Sequence, residues 1–335
     1  MASRRKFILN ALTLTSAAAF TKVALPSEKI SRRIENLSRS KTKITKPVVV
    51  STWNFGMPAN EAAWKVLSAN GRCLDAVEKG VNVVEADPKI NTVGYGGLPD
   101  RDGYVTLDAC IMDEFGNAGS VAFLQDIVHA SSVARKVMEK TPHVMLVGSG
   151  AQEFALANGF KKVNLLTKES KERWQKWLKQ NNYTPMKIDE HNHDTIGMLA
   201  LDSAGNIAGV CTTSGLAFKM HGRVADSAII GAGLFSDNNV GAAAATGLGE
   251  AVIKTAGSHI VVEQMRLGKS PLEACKAAVN RIAEMQKNYK DFQVGYLALN
   301  KDGEIGAYAI QKGFQYAVYA DGENKLIDSD YLIKG

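Results

Sequence analysis

Four short stretches hold residue types that can do chemistry together. The first is His191-Asn192-His193-Asp194-Thr195-Ile196-Gly197-Met198, where a polar, lysine-rich segment gives way to an apolar run. A threonine that opens a buried strand has an unusual option. If the bond between Asp194 and Thr195 is cut, one residue carries both a hydroxyl nucleophile and an α-amine able to act as its base. Such an amine titrates near ~7.7–8 and accepts a proton at neutral pH. Left uncut, the same octapeptide is a strand that starts after a loop. The second stretch, Cys211-Thr212-Thr213-Ser214-Gly215, ends the return strand of the hairpin that Thr195 begins, so its hydroxyls can lie beside Thr195. The third, Gly222-Arg223-Val224-Ala225-Asp226-Ser227, sets opposite charges three residues apart. Read by itself it is a surface ion pair. The fourth, Ala245-Thr246-Gly247-Leu248-Gly249-Glu250, opens a helical run with a hydroxyl and backbone N–H groups. It reads as a tight turn or as an oxyanion site.

Other chemistries fit less well. Gly148-Ser149-Gly150 follows a strand, but Glu153 stands where a dinucleotide fingerprint needs its third glycine, and Gly231-Ala232-Gly233 fails in the same way at Ser236. His191 and His193 have no accompanying ligand set, so solvated histidines are the reading there. There is no phosphate-binding Walker loop and no nucleophile elbow.

The elements that must position these residues follow from periodicity. A short strand spans 48–52, helices 60–69 and 73–86 follow, and a glycine-rich loop runs from Gly94 to Gly103. Strands at 106–112 and 119–123 precede a helix at 131–140, a strand at 143–147 and a helix at 151–157. The segment 161–187 reads as flexible and polar. Three hairpins share one turn pattern, with glycine fourth: Asp113 to Gly116, Asp202 to Gly205 and Asn300 to Gly303. Their return strands end at Phe123, Thr213 and Ile310. Residues 239–267 are small and read as largely helical. Ser270, Pro271 and Glu273 form a capping box at the next helix. Hairpins with helix pairs between them predict antiparallel sheet covered by helices on both faces, an α+β protein.

Charge divides the chain of 335 residues. Residues 1–46 hold 11 Lys/Arg and 2 Asp/Glu, which leaves 40 − 11 = 29 basic and 34 − 2 = 32 acidic residues in the remainder. The body therefore has no basic footprint for nucleic acid. In the leader, Arg4-Arg5-Lys6-Phe7 precedes a short apolar run, the pattern of a twin-arginine export signal and too short to span a membrane. A periplasmic or secreted protein is the expectation, with cleavage near 17–24 and a tail to residue 46. Cys73, Cys110, Cys211 and Cys275 are widely spaced and read as buried thiols with no required bridge.

Taken together, the motifs resemble a family. Thr195-Ile196-Gly197-Met198, Thr212-Thr213-Ser214-Gly215, Gly222-Arg223-Val224, Asp226-Ser227 and Thr246-Gly247 followed by Gly249-Glu250 match the glycosylasparaginases, N-terminal-nucleophile hydrolases of the asparaginase type. Ser51-Thr52-Trp53-Asn54-Phe55-Gly56 and Gly94-Tyr95-Gly96-Gly97 extend the match toward the N-terminus. The resemblance implies one domain from 47 to 335 with a four-layer αββα fold, cut between Asp194 and Thr195 into 47–194 and 195–335. It implies Thr195 as nucleophile with Thr213 beside it. Arg223 would hold the substrate α-carboxylate, Asp226 the α-ammonium, Thr246 and Gly247 the oxyanion, and Trp53 would cover the site. It further implies a glycoasparagine substrate, no cofactor or metal, and a dimer of cleaved heterodimers. The related isoaspartyl peptidases and plant-type asparaginases are the nearest alternative, but they usually carry glycine where Asp194 stands. A secreted amino-acid-binding protein that never cleaves is the rival of another class. One departure, alanine throughout 242–245 where a threonine is common, predicts looser local packing.

Overall fold

The computed structural model describes residues 46–180 and 195–334. The expected export leader, the segment holding His191, His193 and Asp194, and therefore the expected cut itself, lie outside the described residues.

The chain opens with β1 (Val48–Thr52), α1 (Gly56–Leu67) and α2 (Cys73–Ala86), followed by β2 (Leu107–Met112) and β3 (Ala118–Leu124). Then come α3 (Ala130–Lys140), β4 (Met145–Val147), α4 (Gly148–Ala157) and α5 (Lys168–Gln180). After the expected cut lie β5 (Thr195–Leu201), β6 (Ile207–Thr213), β7 (Leu234–Asp237) and β8 (Gly241–Gly247). Helices α6 (Gly249–Ile253), α7 (Gly257–Arg266) and α8 (Pro271–Met285) precede β9 (Val294–Asn300), β10 (Ile305–Ala309), β11 (Gln315–Ala320), β12 (Glu323–Asp328) and β13 (Asp330–Tyr331). No described helix is long and apolar enough to cross a membrane.

The strands form two sheets, in the orders β12-β11-β1-β5-β6-β2-β3-β4 and β13-β10-β9-β8-β7. All neighbours are antiparallel except β3 with β4 and β10 with β13. Period-2 alternation sorts their side chains into layers. Val48, Val50, Leu199, Leu201, Ala242, Ala244, Leu297 and Leu299 meet between the sheets. Ile196, Met198, Ala208 and Val210 face outward onto Ala63, Val77, Val81 and Val133 of α1 to α3. On the other side Ala243, Ala245 and Ala298 pack on Val261 and Val262 of α7 and Ala278 and Ile282 of α8. The result is the expected αββα sandwich.

The three turn glycines, Gly116, Gly205 and Gly303, have φ of +80°, +83° and +82°, a region that costs glycine little. Each donates its N–H to the carbonyl of the first turn residue, Asp113, Asp202 or Asn300. Ser270 and Glu273 form the reciprocal capping box with Pro271 at the helix start.

Three expectations need correction. Residues 241–247 are a strand, not part of a helical run, and helix begins only at Gly249. The run 242–245 does not loosen the packing: all four alanines are fully buried. A Cβ added to Gly197 would sit 2.5 Å from Ala244 Cβ, so the two sheets touch where only small residues fit. The polar segment before Thr195 contains a helix, α5, which buries only Ser170 and is held by two tryptophans. Trp174 Nε1 donates to the Arg101 carbonyl at 3.1 Å, and Trp177 stacks on Phe218 with ring centres 4.8 Å apart.

Candidate active site

Thr195 is the first residue of β5 and is 2% exposed. It shares its face with Gly197, so its side chain belongs to the layer between the sheets, where that layer ends. Thr52 holds the strand start. Its hydroxyl donates to the Thr195 carbonyl at 2.8 Å and accepts the Gly197 N–H at 3.0 Å. In register beside Thr195 stands Thr213, and beside Thr213 stands Asp108 of β2. Alternation decides between the paired threonines. Thr213 shares the Thr195 face, and its hydroxyl accepts the Gly215 N–H at 2.8 Å. Thr212 turns to the helix layer and donates to Glu85 Oε1 at 2.8 Å, where Ser131 also binds Glu85 through its N–H and its hydroxyl.

Trp53 extends the link across the sandwich. Its φ is +65° and it is 1% exposed, with its ring edge against Phe314 at 5.1 Å. Its Nε1 donates to Thr246 Oγ1 at 2.8 Å. An indole N–H can only donate, so Thr246 must accept and keeps its own hydrogen to give elsewhere. That is the orientation an oxyanion donor needs. Gly247, at the end of β8, has φ +105°, and a Cβ there would lie 2.3 Å from the Gln293 carbonyl. Only glycine fits.

Arg223 and Asp226 are not a surface pair. The Arg223 side chain is 12% exposed and Asp226 is 3% exposed. Arg223 makes a bidentate pair with Glu250, Nε to Oε1 at 2.9 Å and Nη2 to Oε2 at 2.8 Å. Burial alone would raise the Glu250 carboxyl, but the Arg223 hydrogen bonds and charge bring it below its ordinary range. Gly249, next to Glu250, packs on Asp226 so closely that a Cβ would lie 2.4 Å from Oδ1.

The Asparaginase family matches residues 38–327. The chain is 57% identical, over 99% of its length and 96% of the relative's, to the N(4)-(beta-N-acetylglucosaminyl)-L-asparaginase of Elizabethkingia miricola. Proteins of the same name from Rattus norvegicus and Mus musculus are 39% and 40% identical, over 84% and 78% of this chain and 90% and 83% of theirs. This chain belongs to the asparaginase family.

Within that family frame, the structure brings together every described residue singled out from the sequence: Trp53, Thr195, Thr213, Arg223, Asp226, Thr246 and Gly247. It adds others. Lys219 is 1% exposed, with Nζ donating to the Ser214 carbonyl at 2.9 Å. A Cβ at Gly215 would lie 2.6 Å from Lys219 Nζ and 3.3 Å from Arg223 Nη1, so two cations flank that glycine. Asp108 is fully buried and accepts the Phe123 N–H at 2.9 Å. Burial pushes its carboxyl up, opposed by Lys219, the Phe123 amide, Arg223 and the Ala225 amide. His221 is held on Asp100, Nδ1 to Oδ2 at 2.6 Å, with its ring against Tyr104 and Phe123.

Proposed function

We propose that this protein is an amidohydrolase that cuts the side-chain amide joining N-acetylglucosamine to free L-asparagine. It does so after splitting its own chain between Asp194 and Thr195. The observation that carries this reading is the placement of Thr195: a buried strand-opening threonine in register with Thr213 and tied through Thr52 and Trp53 to Thr246. The names of its relatives support the same substrate.

The chemistry follows from those positions. The freed amine of Thr195 takes the hydroxyl proton as Oγ attacks the β-carbonyl carbon. The oxygen that becomes negative is met by the Thr246 hydroxyl and the Gly247 N–H. The C–N bond breaks, the sugar leaves as its glycosylamine with the proton returned by the amine, and a β-aspartyl ester remains on Thr195. Water then cleaves the ester to aspartate. Arg223 and Asp226 hold the α-carboxylate and α-ammonium, which confines the reaction to free asparagine derivatives. The same reading includes export by the twin-arginine leader and assembly as a dimer of split chains.

Intact-mass measurement of the matured protein, paired with a hydrolysis assay on N4-(β-N-acetylglucosaminyl)-L-asparagine, tests the reading. Two fragments meeting at Thr195 and release of aspartate are expected. A single uncut chain that binds amino acids would make it a binding protein. Faster turnover of β-aspartyl peptides would favour the isoaspartyl peptidases instead, although Asp194 argues against that branch. If the amine is the base, kcat/KM falls as pH drops through the amine pKa, near or below ~8. His221→Gln should leave this acidic limb in place. Its disappearance in a chain that still splits would make the histidine the base.

A further inference from the structure

The motif that starts at Thr246 ends on a carboxylate with no role in the chemistry above. Glu250 sits in the first turn of α6 and reaches back to Arg223. A guanidinium offers two edges on which paired N–H groups can hold a carboxylate, Nε with Nη2 and Nη1 with Nη2. Glu250 takes the first edge. The Nη1 end is turned toward Gly215 and Lys219. The exposure of the pair is lopsided: the arginine side chain is 12% exposed and the glutamate side chain 44%. The buried partner is thus the one assigned to substrate, and the more exposed one grips it from outside. One segment of five residues therefore carries the oxyanion donors, packs on Asp226 through Gly249, and clamps Arg223.

We infer that Glu250 is a positioning residue for recognition of the α-carboxylate. It fixes the Arg223 fork by its Nε edge so that the Nη1/Nη2 edge addresses the ligand. This rests on the assignment of Arg223 to the α-carboxylate. The opposing physics is competition, in which a second carboxylate on the same guanidinium repels the ligand. The two differ in sign, so they can be separated.

Glu250→Gln keeps the shape but replaces one acceptor oxygen with a donor, so it cannot meet the two N–H groups with one oxygen each. In a protein that still splits, KM for the glycoasparagine should rise about 10-fold with kcat within about twofold of wild type. The preference for an α-carboxylate substrate over its α-carboxamide counterpart should shrink by about the same factor, since a bidentate grip is what confers it. General damage to the fold would weaken both substrates alike. Glu250→Asp, which keeps the charge but is one methylene shorter, should fall between the two; it carries the test if the glutamine variant does not fold. An unchanged or lower KM in Glu250→Gln overturns the inference in favour of a bystander or a competitor. A fall in kcat at constant KM also overturns it, because Glu250 would then act on the oxyanion segment. Binding of L-aspartate to wild type and variant separates this from the substrate question. If wild type binds L-aspartate but leaves the glycoasparagine intact, the proposed substrate is wrong, and a weaker aspartate affinity in the variant still supports the clamp. If wild type binds no aspartate, the inference falls with the assignment of Arg223.

Discussion

The layer between the sheets has two ends built from the same strands. At one end Leu201, Ile207, Leu299 and Val48 close it mainly with hydrocarbon. At the other, Thr52, Thr195, Thr213, Thr246 and Asp108 stand on the continuations of those strands or their neighbours, and each is at most 2% exposed. Burial is therefore the same and the chemistry opposite. A buried polar group without a partner costs on the order of 1–3 kcal/mol. The hydroxyl end avoids much of that cost by pairing within itself, Thr52 with Thr195 and Gly197, Trp53 with Thr246, Thr213 with Gly215. The apolar end supplies cohesion, and the hydroxyl end depends on it for position.

Substitutions at each end can break that division. Thr195→Ala should lower turnover by on the order of 10⁴-fold or more and leave a single uncut chain by mass. Its thermal midpoint should stay near that of wild type, and a collapse there would make the hydroxyl end structural. Leu299→Ala should do the reverse, costing about 2–5 kcal/mol in denaturant unfolding with kcat/KM of the folded protein unchanged. Ala244→Val probes the boundary, where Gly197 leaves no room. It should cost about 1–3 kcal/mol through overpacking. It should also slow splitting, measured by fragment appearance, because Gly197 and Thr195 share one short strand. The smallest effect belongs outside the layer: Ser270→Ala removes the α8 cap, with a loss of about 1 kcal/mol and no change in turnover or splitting.

Much of this division was legible in the sequence because alternation and turn chemistry are local. β1, α2 and β5 lie where their patterns put them, and the three glycine turns hold. β8 was misread because a run of alanine and glycine favours helix or nothing by propensity, and only the contact with Gly197 selects a strand. The helix α5 went unseen because it buries almost nothing, and its two tryptophans act through partners distant in sequence. β11 and β12 were missed because they flank a sheet whose centre lies at the other end of the chain. At the site, threonine positions could be read from register, so Thr213 was found beside Thr195. Lys219 and Asp108 could not, since a charged residue is expected outside and their burial appears only once β2 and the loop after Thr213 meet. Glu250 was visible as part of a motif, but its grip on Arg223 was not.

The strand order of the large sheet carries one more consequence. β1 comes first among the described strands, yet Ser51 pairs with Met198 on one side and Ala317 on the other. β1 thus waits on partners far along the chain, a topology dominated by distant contacts and hence slow to form. Strands from either side of residue 195 are interleaved across the finished sheet, with β1 between β11 and β5, so a protein split there stays interlocked until the sheet itself unzips. A cut made before β1 had met β5 and β11, and β2 had met β6, would leave the fragments free to drift apart. Assembly has to precede cleavage, and once both have happened the route back from denaturant is a bimolecular search. Longevity in such a molecule resides in its unfolding rate rather than in its equilibrium stability.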